Sequence, residues 1–592
     1  MTNYDPPLDD IRFVLDEVVD LASLAKLECF AHAEPDLVHG VIEEAARFAA
    51  DVIAPLNTVG DRYHSRRNDD GSVSTPPGFA DAYRAYVAAG WGSVPFPAHY
   101  GGGDFPGLVS TVITELVASS NLAFSLCPGL TQGAIHLLLA HANQELQHTY
   151  LPNLVTGQWT GTMNLTEPDA GSDVGAVRTK ATPAGDGTWR ITGQKIFITY
   201  GEHDMAENIV HLVLARVPDA PPGSRGISCF VVPKTLVGPD GVLGERNRVS
   251  CVSIEQKLGI HASPTCVLDF DRAEGYLIGD PNEGMRYMFT MMNNARLFVG
   301  VQGLAVASRA YQQSAAYANQ RRQGRRPGAA AGTASAIIDH PDVRRMLLTQ
   351  KASIEALRSL VYFVAESIDI AEQHPDPVER TARRELVDLL IPVTKAWATD
   401  LGVELSSLAL QVHGGAGYIE ETGAAQHYRD ARITPIYEGT NGIQAIDLVT
   451  RKLTMRGGSV IAEFLARLDA TDVALDAAGE PLASIRVNLS AAVATLRAAT
   501  DYLSVADSDA TLAGATPYLR MFGTVAGGWL MARQAIAADR LLVAGSADTA
   551  FLQAKLVSAR FYCEQLLPQA SGLLAAVTAG SRDLLTLDAG QF

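Results

Sequence analysis

One carboxylate in the nonapeptide Ile436-Tyr437-Glu438-Gly439-Thr440-Asn441-Gly442-Ile443-Gln444 lies between an apolar pair and a helix start. The start is signalled by Thr440 or Asn441 as N-cap, with Ile443, Ile446, Val449 and Leu453 following at helical spacing. Apolar surroundings disfavour the charged form of a carboxylate and raise its pKa. Such a group is suited to take a proton from carbon near neutral pH. The same residues also read as an idle, solvated glutamate, and the nonapeptide alone does not decide between the two.

Three further segments carry polar or aromatic groups at usable spacing. Leu165-Thr166-Glu167-Pro168-Asp169-Ala170-Gly171-Ser172-Asp173 offers small residues and hydroxyls to a planar polar ring or a phosphate, or forms an ordinary turn. Gly193-Gln-Lys-Ile-Phe197-Ile-Thr199 reads as a strand, where residues two apart share a face. Phe197 is thereby placed to pack a ring while Thr199 donates to it, unless it is a core aromatic beside a solvated hydroxyl. Gln411-Val-His-Gly-Gly-Ala-Gly-Tyr418 follows a long helix and reads as a glycine C-cap, not a nicotinamide-binding turn after a strand. The triple glycine at 101–103 lacks the lysine of a phosphate loop and reads as a turn. His261 and His413 have no second metal-type ligand at useful spacing, so no metal site is expected.

These segments sit on elements of changing texture. Periodic apolar residues predict helices over Ile11–Leu27, Val38–Val52 and Leu108–Ala142. From Trp159 the chain alternates: Gly185-Asp-Gly before Trp189 signals a hairpin, and strands follow at Ile209–Val217, Ile227–Pro233, Val249–Gln256 and Cys266–Phe270. Helical texture returns over Met285–Arg321, Pro341–Glu372, Arg380–Val412 and Thr440–Met455, the pattern of a bundle. Beyond the break at Gly457-Gly-Ser an Ala-rich helical tail follows, in which Gly527-Gly528 allows close helix contact. The expected fold is mainly α with a central β-domain: an extension (1–40), an N-terminal helical domain (41–160), a β-barrel or sandwich (161–280), a four-helix bundle carrying Glu438 (281–458) and an additional C-terminal helical domain (459–592). Ligands are expected at domain junctions.

Composition narrows the classes. The 592 residues are 47 % hydrophobic and 19 % charged, with a net charge of −18, which argues against nucleic-acid binding and gives no support for docking on an anionic membrane. The six cysteines include no CxxC pair, so a reducing, cytoplasmic setting without disulfides or zinc is expected. No signal peptide is visible, and the apolar stretch Gly523 to Ala538 is interrupted by Arg533 and too short to span a bilayer, so no stable membrane anchor is expected.

Taken together, LTEPDAGSD, GQKIFIT, EQKLGIHASPTC, the Asn293-Asn-Ala-Arg296 segment, YANQRRQGR, QVHGGAGY and RDARITPIYEGTNGIQ resemble, in that order, the acyl-CoA dehydrogenase superfamily of flavoenzymes. The resemblance covers roughly residues 40–455. The opening Tyr4-Asp-Pro-Pro-Leu-Asp-Asp-Ile-Arg-Phe, with Thr516-Pro-Tyr-Leu-Arg-Met-Phe-Gly and Ala526-Gly-Gly-Trp529, is similar to the long form that includes methylthiopropionyl-CoA dehydrogenases.

The resemblance implies non-covalent FAD, its ring between the β-domain and the bundle. Thr166, with Met163 and Leu165, falls at the pyrimidine side, Phe197 beside the ring and Thr199 near N5. Ser172 matches a serine near phosphate or substrate. Arg321, Gln411, Gly414 and Gly415 match positions for the adenosine-diphosphate half, largely across a subunit interface, and Thr440 matches a further FAD contact. Asn293 and Arg296 match the segment at the CoA portion, and Gly439 lies beside the thioester. Glu438 matches the catalytic base. The implied reaction takes the α-proton to Glu438 and the β-hydride to flavin N5, giving a trans-2-enoyl-CoA. Electrons then pass to electron-transferring flavoprotein.

Some relatives carry their base at the position of Ala295, which cannot serve as one here. Gly324 stands where relatives have an aromatic near adenine, Gly442 where they have a glutamine, and Tyr200 where many have a small polar residue; a tyrosine there would narrow or polarise the pocket. An acyl-CoA oxidase or a non-catalytic acyl-CoA or FAD-binding scaffold are the alternatives. The acyl chain length is not readable, although the pocket wall is expected to include Leu126–Ala134. The extra C-terminal domain suggests a homodimer.

Overall fold

The computed structural model describes residues 4–238, 241–326 and 334–592. The chain forms two compact units, one of residues 1–43, 106–115 and 299–592 and the other of residues 44–105 and 116–298.

The second unit is built on seven strands: β1 (Trp159–Asn164), β2 (Lys180–Pro183), β3 (Trp189–Thr199), β4 (Asn208–Ala215), β5 (Ser228–Pro233), β6 (Val249–Ile254) and β7 (Thr265–Leu277). Their order is β1-β4-β5-β7-β3-β2, with β6 on β7; β1 and β4 are parallel and the other pairs antiparallel. The sheet curls back on itself. Just past β4, Arg216 bridges Lys180, and the Ala181 N–H donates to the Arg216 carbonyl at 2.8 Å. Ile191, Val213, Phe230, Val232, Leu268 and Phe270 fill the interior, so the β-domain, expected as a barrel or sandwich, takes the form of a small barrel. The hairpin predicted at Gly185-Asp-Gly joins β2 to β3.

The helix Leu122–His141 lies on β1. A Cβ added at Gly161 would come within 2.5 Å of the Ala134 Cβ, so only glycine permits this approach. By length and composition this helix could cross a membrane, yet 78 % of its apolar window is buried against the protein. The single helix expected over Leu108–Ala142 is two, Gly107–Ser120 and Leu122–His141. The interruption is Asn121, whose side chain accepts the Phe124 N–H and starts the second helix as its N-cap.

The first unit is helical. Pro341–Gln373 and Pro377–His413 pack side by side, and Gly303 on the helix Gly284–Gln320 meets the second of them where a Cβ would strike the Ala398 carbonyl. Buried Glu115 accepts Arg358 at 2.7 Å and the Tyr362 hydroxyl at 2.6 Å. The segment Thr440–Met455 is shorter than its periodicity suggests: the helix Asn441–Asp447 gives way to a wider turn over Leu448–Lys452. Thr450 donates back to the Ile446 carbonyl there at 2.7 Å. The long helix Ser508–Val543 packs on both Pro341–Gln373 and Pro377–His413. Gly527 is where it admits the Trp397 ring and the Tyr562 hydroxyl.

Candidate active site

The first unit holds Glu438 at a sharply turned corner. Glu438 (φ 55°) and Gly439 (φ 83°) are consecutive left-handed residues, a conformation that costs a non-glycine residue about 1–2 kcal/mol. It persists because its surroundings over-determine it. Lys395, fully buried on the helix Pro377–His413, donates from Nζ to the Gly439 carbonyl at 2.9 Å and to Asn441 Oδ1 at 2.8 Å. Asn441 Nδ2 donates in turn to the Ala396 carbonyl and to Asp400 Oδ1 at 2.7 Å. Gln444, also fully buried, reaches the Gly439 carbonyl at 3.3 Å.

The N-cap is Thr440, the first of the two candidates, whose hydroxyl accepts the Ile443 N–H at 3.2 Å. Glu438 and Gly439 are half-buried. The apolar pair before Glu438 divides: Ile436 is 46 % exposed, whereas the Tyr437 hydroxyl donates to Gln302 Oε1. Burial first, and then the neighbouring Glu438 charge, push the Tyr437 phenol up, so it stays a neutral donor. Asp430 is buried beside Gln426 and Arg432 is exposed.

The same unit carries a second group of expected residues. Gln411, Gly414 and Gly415 are exposed at the end of Pro377–His413, and Arg321 is exposed just after Gln320. Gly414 caps the helix with φ 60°, and a Cβ at Gly414 or Gly415 would meet nothing within 4 Å. This is open backbone onto which an extended polar ligand can settle. His413 is structural: its ring stacks on Tyr317, Nδ1 meets the Ala409 carbonyl at 2.7 Å, and burial lowers its pKa.

The second unit gathers Met163, Leu165, Thr166, Phe197 and Thr199. Between the pairs Lys195↔Leu268 and Ile198↔Cys266, β3 has one residue more than β7, a β-bulge at Ile196–Phe197. Phe197 stands there at φ 59° and is 57 % exposed. The bulge breaks the alternation from which a shared Phe197–Thr199 face was expected. What stands is an outward aromatic with half-buried Thr199 two residues on. The Ile196 N–H donates to the Thr166 carbonyl at 2.9 Å, which sets half-buried Thr166 beside the bulge. Ser172 lies exposed in the same loop. Tyr200 lines no open space: it is 1 % exposed and its hydroxyl donates to the Ala123 carbonyl at 2.9 Å, so the expected effect on a pocket is replaced by a brace to the helix Leu122–His141. Asn293 is exposed, and Ala295 and Arg296 are buried on Gly284–Gln320.

His261 meets Asp61 at 2.9 Å and lies against His64, the two rings tilted by 34°. Among the described residues no His, Cys, Asp or Glu group could hold a metal, and the six cysteines form no disulfide.

The residues present fit a flavin. In the second unit an exposed aromatic in a strained conformation with two nearby hydroxyls suits a flat, polar ring; in the first unit the open backbone at Gly414 and Gly415 suits an extended polar tail. Lys395 and Lys195 were not singled out from the sequence; Asn441 reads there only as a candidate N-cap and Glu167 only as part of its loop. Lys195 at an inward position of the alternating strand, four residues after buried Ile191, was the one available signal.

Four family models match in sequence: acyl-CoA dehydrogenase N-terminal domain (residues 39–158), middle domain (162–273) and C-terminal domain (282–453), and an acetyl-CoA dehydrogenase C-terminal like domain (460–588). The 3-methylmercaptopropionyl-CoA dehydrogenase of Ruegeria pomeroyi is 44 % identical over 98 % of this chain and 99 % of its own length. A butyryl-CoA dehydrogenase of Syntrophomonas wolfei is 34 % identical over 98 % of this chain and 97 % of its own. Among solved structures, an acyl-CoA dehydrogenase of Bacillus anthracis complexed with FAD shares the fold, with a TM-score of 0.73 at 20 % identity over 92 % of this chain and 88 % of that one. The chain belongs to the acyl-CoA dehydrogenase superfamily, in the form that carries an additional C-terminal domain.

Proposed function

We propose that this protein is an FAD-dependent dehydrogenase of short acyl-CoA thioesters, forming a trans-2-enoyl-CoA, with Glu438 as the base. The observation that carries the reading is the left-handed Glu438–Gly439 corner and its anchoring by Lys395, Asn441 and Gln444. A main chain held this firmly presents the Glu438 side chain from one fixed position. Met163, Leu165, Thr166, Ser172, Phe197 and Thr199 hold the flavin ring and its near phosphate. Arg321, Gln411, Gly414, Gly415 and Thr440 hold the rest. Asn293, Arg296 and Gly439 meet the substrate, with Ser172 at its edge.

The backbone N–H of Glu438 hydrogen-bonds the thioester carbonyl and stabilises the enolate charge that develops there. The Glu438 carboxylate takes the α-proton, breaking the Cα–H bond whose electrons enter the new Cα=Cβ bond. FAD, when bound, supplies the two-electron acceptor for the hydride that leaves Cβ. Ala295 offers no competing base.

The substrate class follows the Ruegeria and Syntrophomonas relatives, whose names specify short acyl groups. Electron-transferring flavoprotein is the proposed acceptor and a homodimer the proposed assembly.

Anaerobic titration of the yellow protein with butyryl-CoA and 3-methylmercaptopropionyl-CoA tests this reading. Bleaching of the flavin is expected. A folded protein that takes up no FAD overturns it, and full-rate peroxide formation in air would assign an oxidase instead.

A further inference from the structure

The loop and the bulged strand that meet in the second unit are tied together by a buried ion pair. Lys195 is fully buried, and its Nζ donates to Glu167 Oε1 at 2.7 Å and to the Leu165 carbonyl at 3.1 Å. Glu167, 6 % exposed, also accepts the Arg178 N–H at 2.7 Å, the Thr179 N–H at 3.1 Å and the Thr179 hydroxyl at 2.5 Å. Its carboxylate is thus fully committed. Gly193 completes the knot: a Cβ there would lie 2.5 Å from Thr179 Oγ1.

This pair differs from ordinary core packing in two respects. A buried ion pair contributes little net stability, because the desolvation cost cancels most of the attraction; an apolar pair of the same volume serves the fold as well. What the pair does supply is register. Its donors and acceptors lie on Leu165 and Glu167, on either side of Thr166, and on Lys195, two residues before Phe197. Phe197 sits in a strained conformation, which lasts only if the neighbouring main chain is held.

We propose that the Lys195–Glu167 pair is the positioning element of the flavin-binding face, fixing the main chain of Leu165–Glu167 against the bulge that presents Phe197. The proposal rests on the FAD reading above. Neither side chain need touch the flavin; both act through Thr166 and Phe197.

Apoprotein prepared from the wild type and from Lys195→Met is titrated with FAD, and the visible spectrum and reduction potential of the bound flavin are recorded. Lys195→Met is expected to weaken FAD about ten-fold or more, to move the spectrum toward that of free FAD and to shift the potential. Glu167→Gln, which keeps the shape, gives the same result if Lys195→Met does not fold. The double variant Lys195→Met/Glu167→Gln should lose no more than the worse single one. Glu202→Gln is the control, since Glu202 pairs with Lys234 and with Arg246 in the same unit; its FAD affinity is expected to stay within about two-fold of wild type. Wild-type affinity and spectrum in Lys195→Met, or an equal loss in Glu202→Gln, would overturn the proposal. A wild-type protein that binds no FAD overturns the functional reading itself, and this one with it.

Discussion

Lys395 Nζ lies 2.9 Å from the carbonyl oxygen of Gly439, so the residue after Glu438 is held by a buried ammonium on the helix Pro377–His413. Lys395→Met removes the donor and leaves the carbonyl with Gln444 alone at 3.3 Å among the hydrogen bonds described above. Because a displaced base costs rate steeply, kcat should fall about 10–100-fold with FAD content kept. Steady-state kinetics beside a flavin-to-protein absorbance ratio checks this.

Phe197 gives a prediction of mixed sign. Its side chain is 57 % exposed and its φ is 59°. Phe197→Gly relieves the backbone at little packing cost and should hold or raise the melting temperature of the apoprotein, by about 1 kcal/mol in stability. FAD affinity should fall about ten-fold in the same variant. Melting curves of the apoprotein and an FAD titration separate the two effects.

Lys555, 1 % exposed, meets Asp10 and lies 3.6 Å from Glu355, which also accepts Lys351 at 2.6 Å. Its ammonium sits over the rings of Phe13 and Phe551. Lys555→Met takes its partner from half-buried Asp10 and leaves buried Glu355 with Lys351 alone, and breaking such a network costs about 3 kcal/mol, the low end for buried pairs. Urea unfolding should show a loss of that order, with proteolysis at the N-terminal segment as its first sign.

Asp369, 4 % exposed, accepts the N–H groups of Gly107 at 2.8 Å and Leu108 at 2.9 Å. Burial pushes its carboxyl up to about 8, against those two donors. A folded-state pKa above the unfolded one means that the folded state holds the proton more tightly. The contribution is therefore complete below about pH 4 and is lost as pH rises through about 8. Asp369→Asn should flatten the fall of melting temperature between pH 5 and 9, at a cost of about 1 kcal/mol for the lost acceptor.

The elements were legible where local chemistry decides them. Periodicity gave the long helices, Gly185-Asp-Gly the hairpin, and Thr440 the start of the helix after Glu438. What escaped was set by partners distant in sequence. Nothing near Gly439 announces Lys395, and Asp10, Glu355 and Lys555 meet only when three separate helices pack. The bulge at Ile196–Phe197 was invisible too, because regular alternation is the assumption under which a strand is read at all. Asn121 ended one helix and began another through a single side-chain acceptor inside an apolar run. Glu438 itself was readable as a carboxylate before a helix; its left-handed backbone and its anchors were not.

Glu438 is the proposed base. Glu438→Gln keeps the shape of the side chain and loses its basicity. In an anaerobic stopped-flow experiment with butyryl-CoA, the variant should retain FAD while the rate of flavin bleaching falls about 10²–10⁴-fold. Bleaching at the wild-type rate would contradict the account and assign the α-proton to another group.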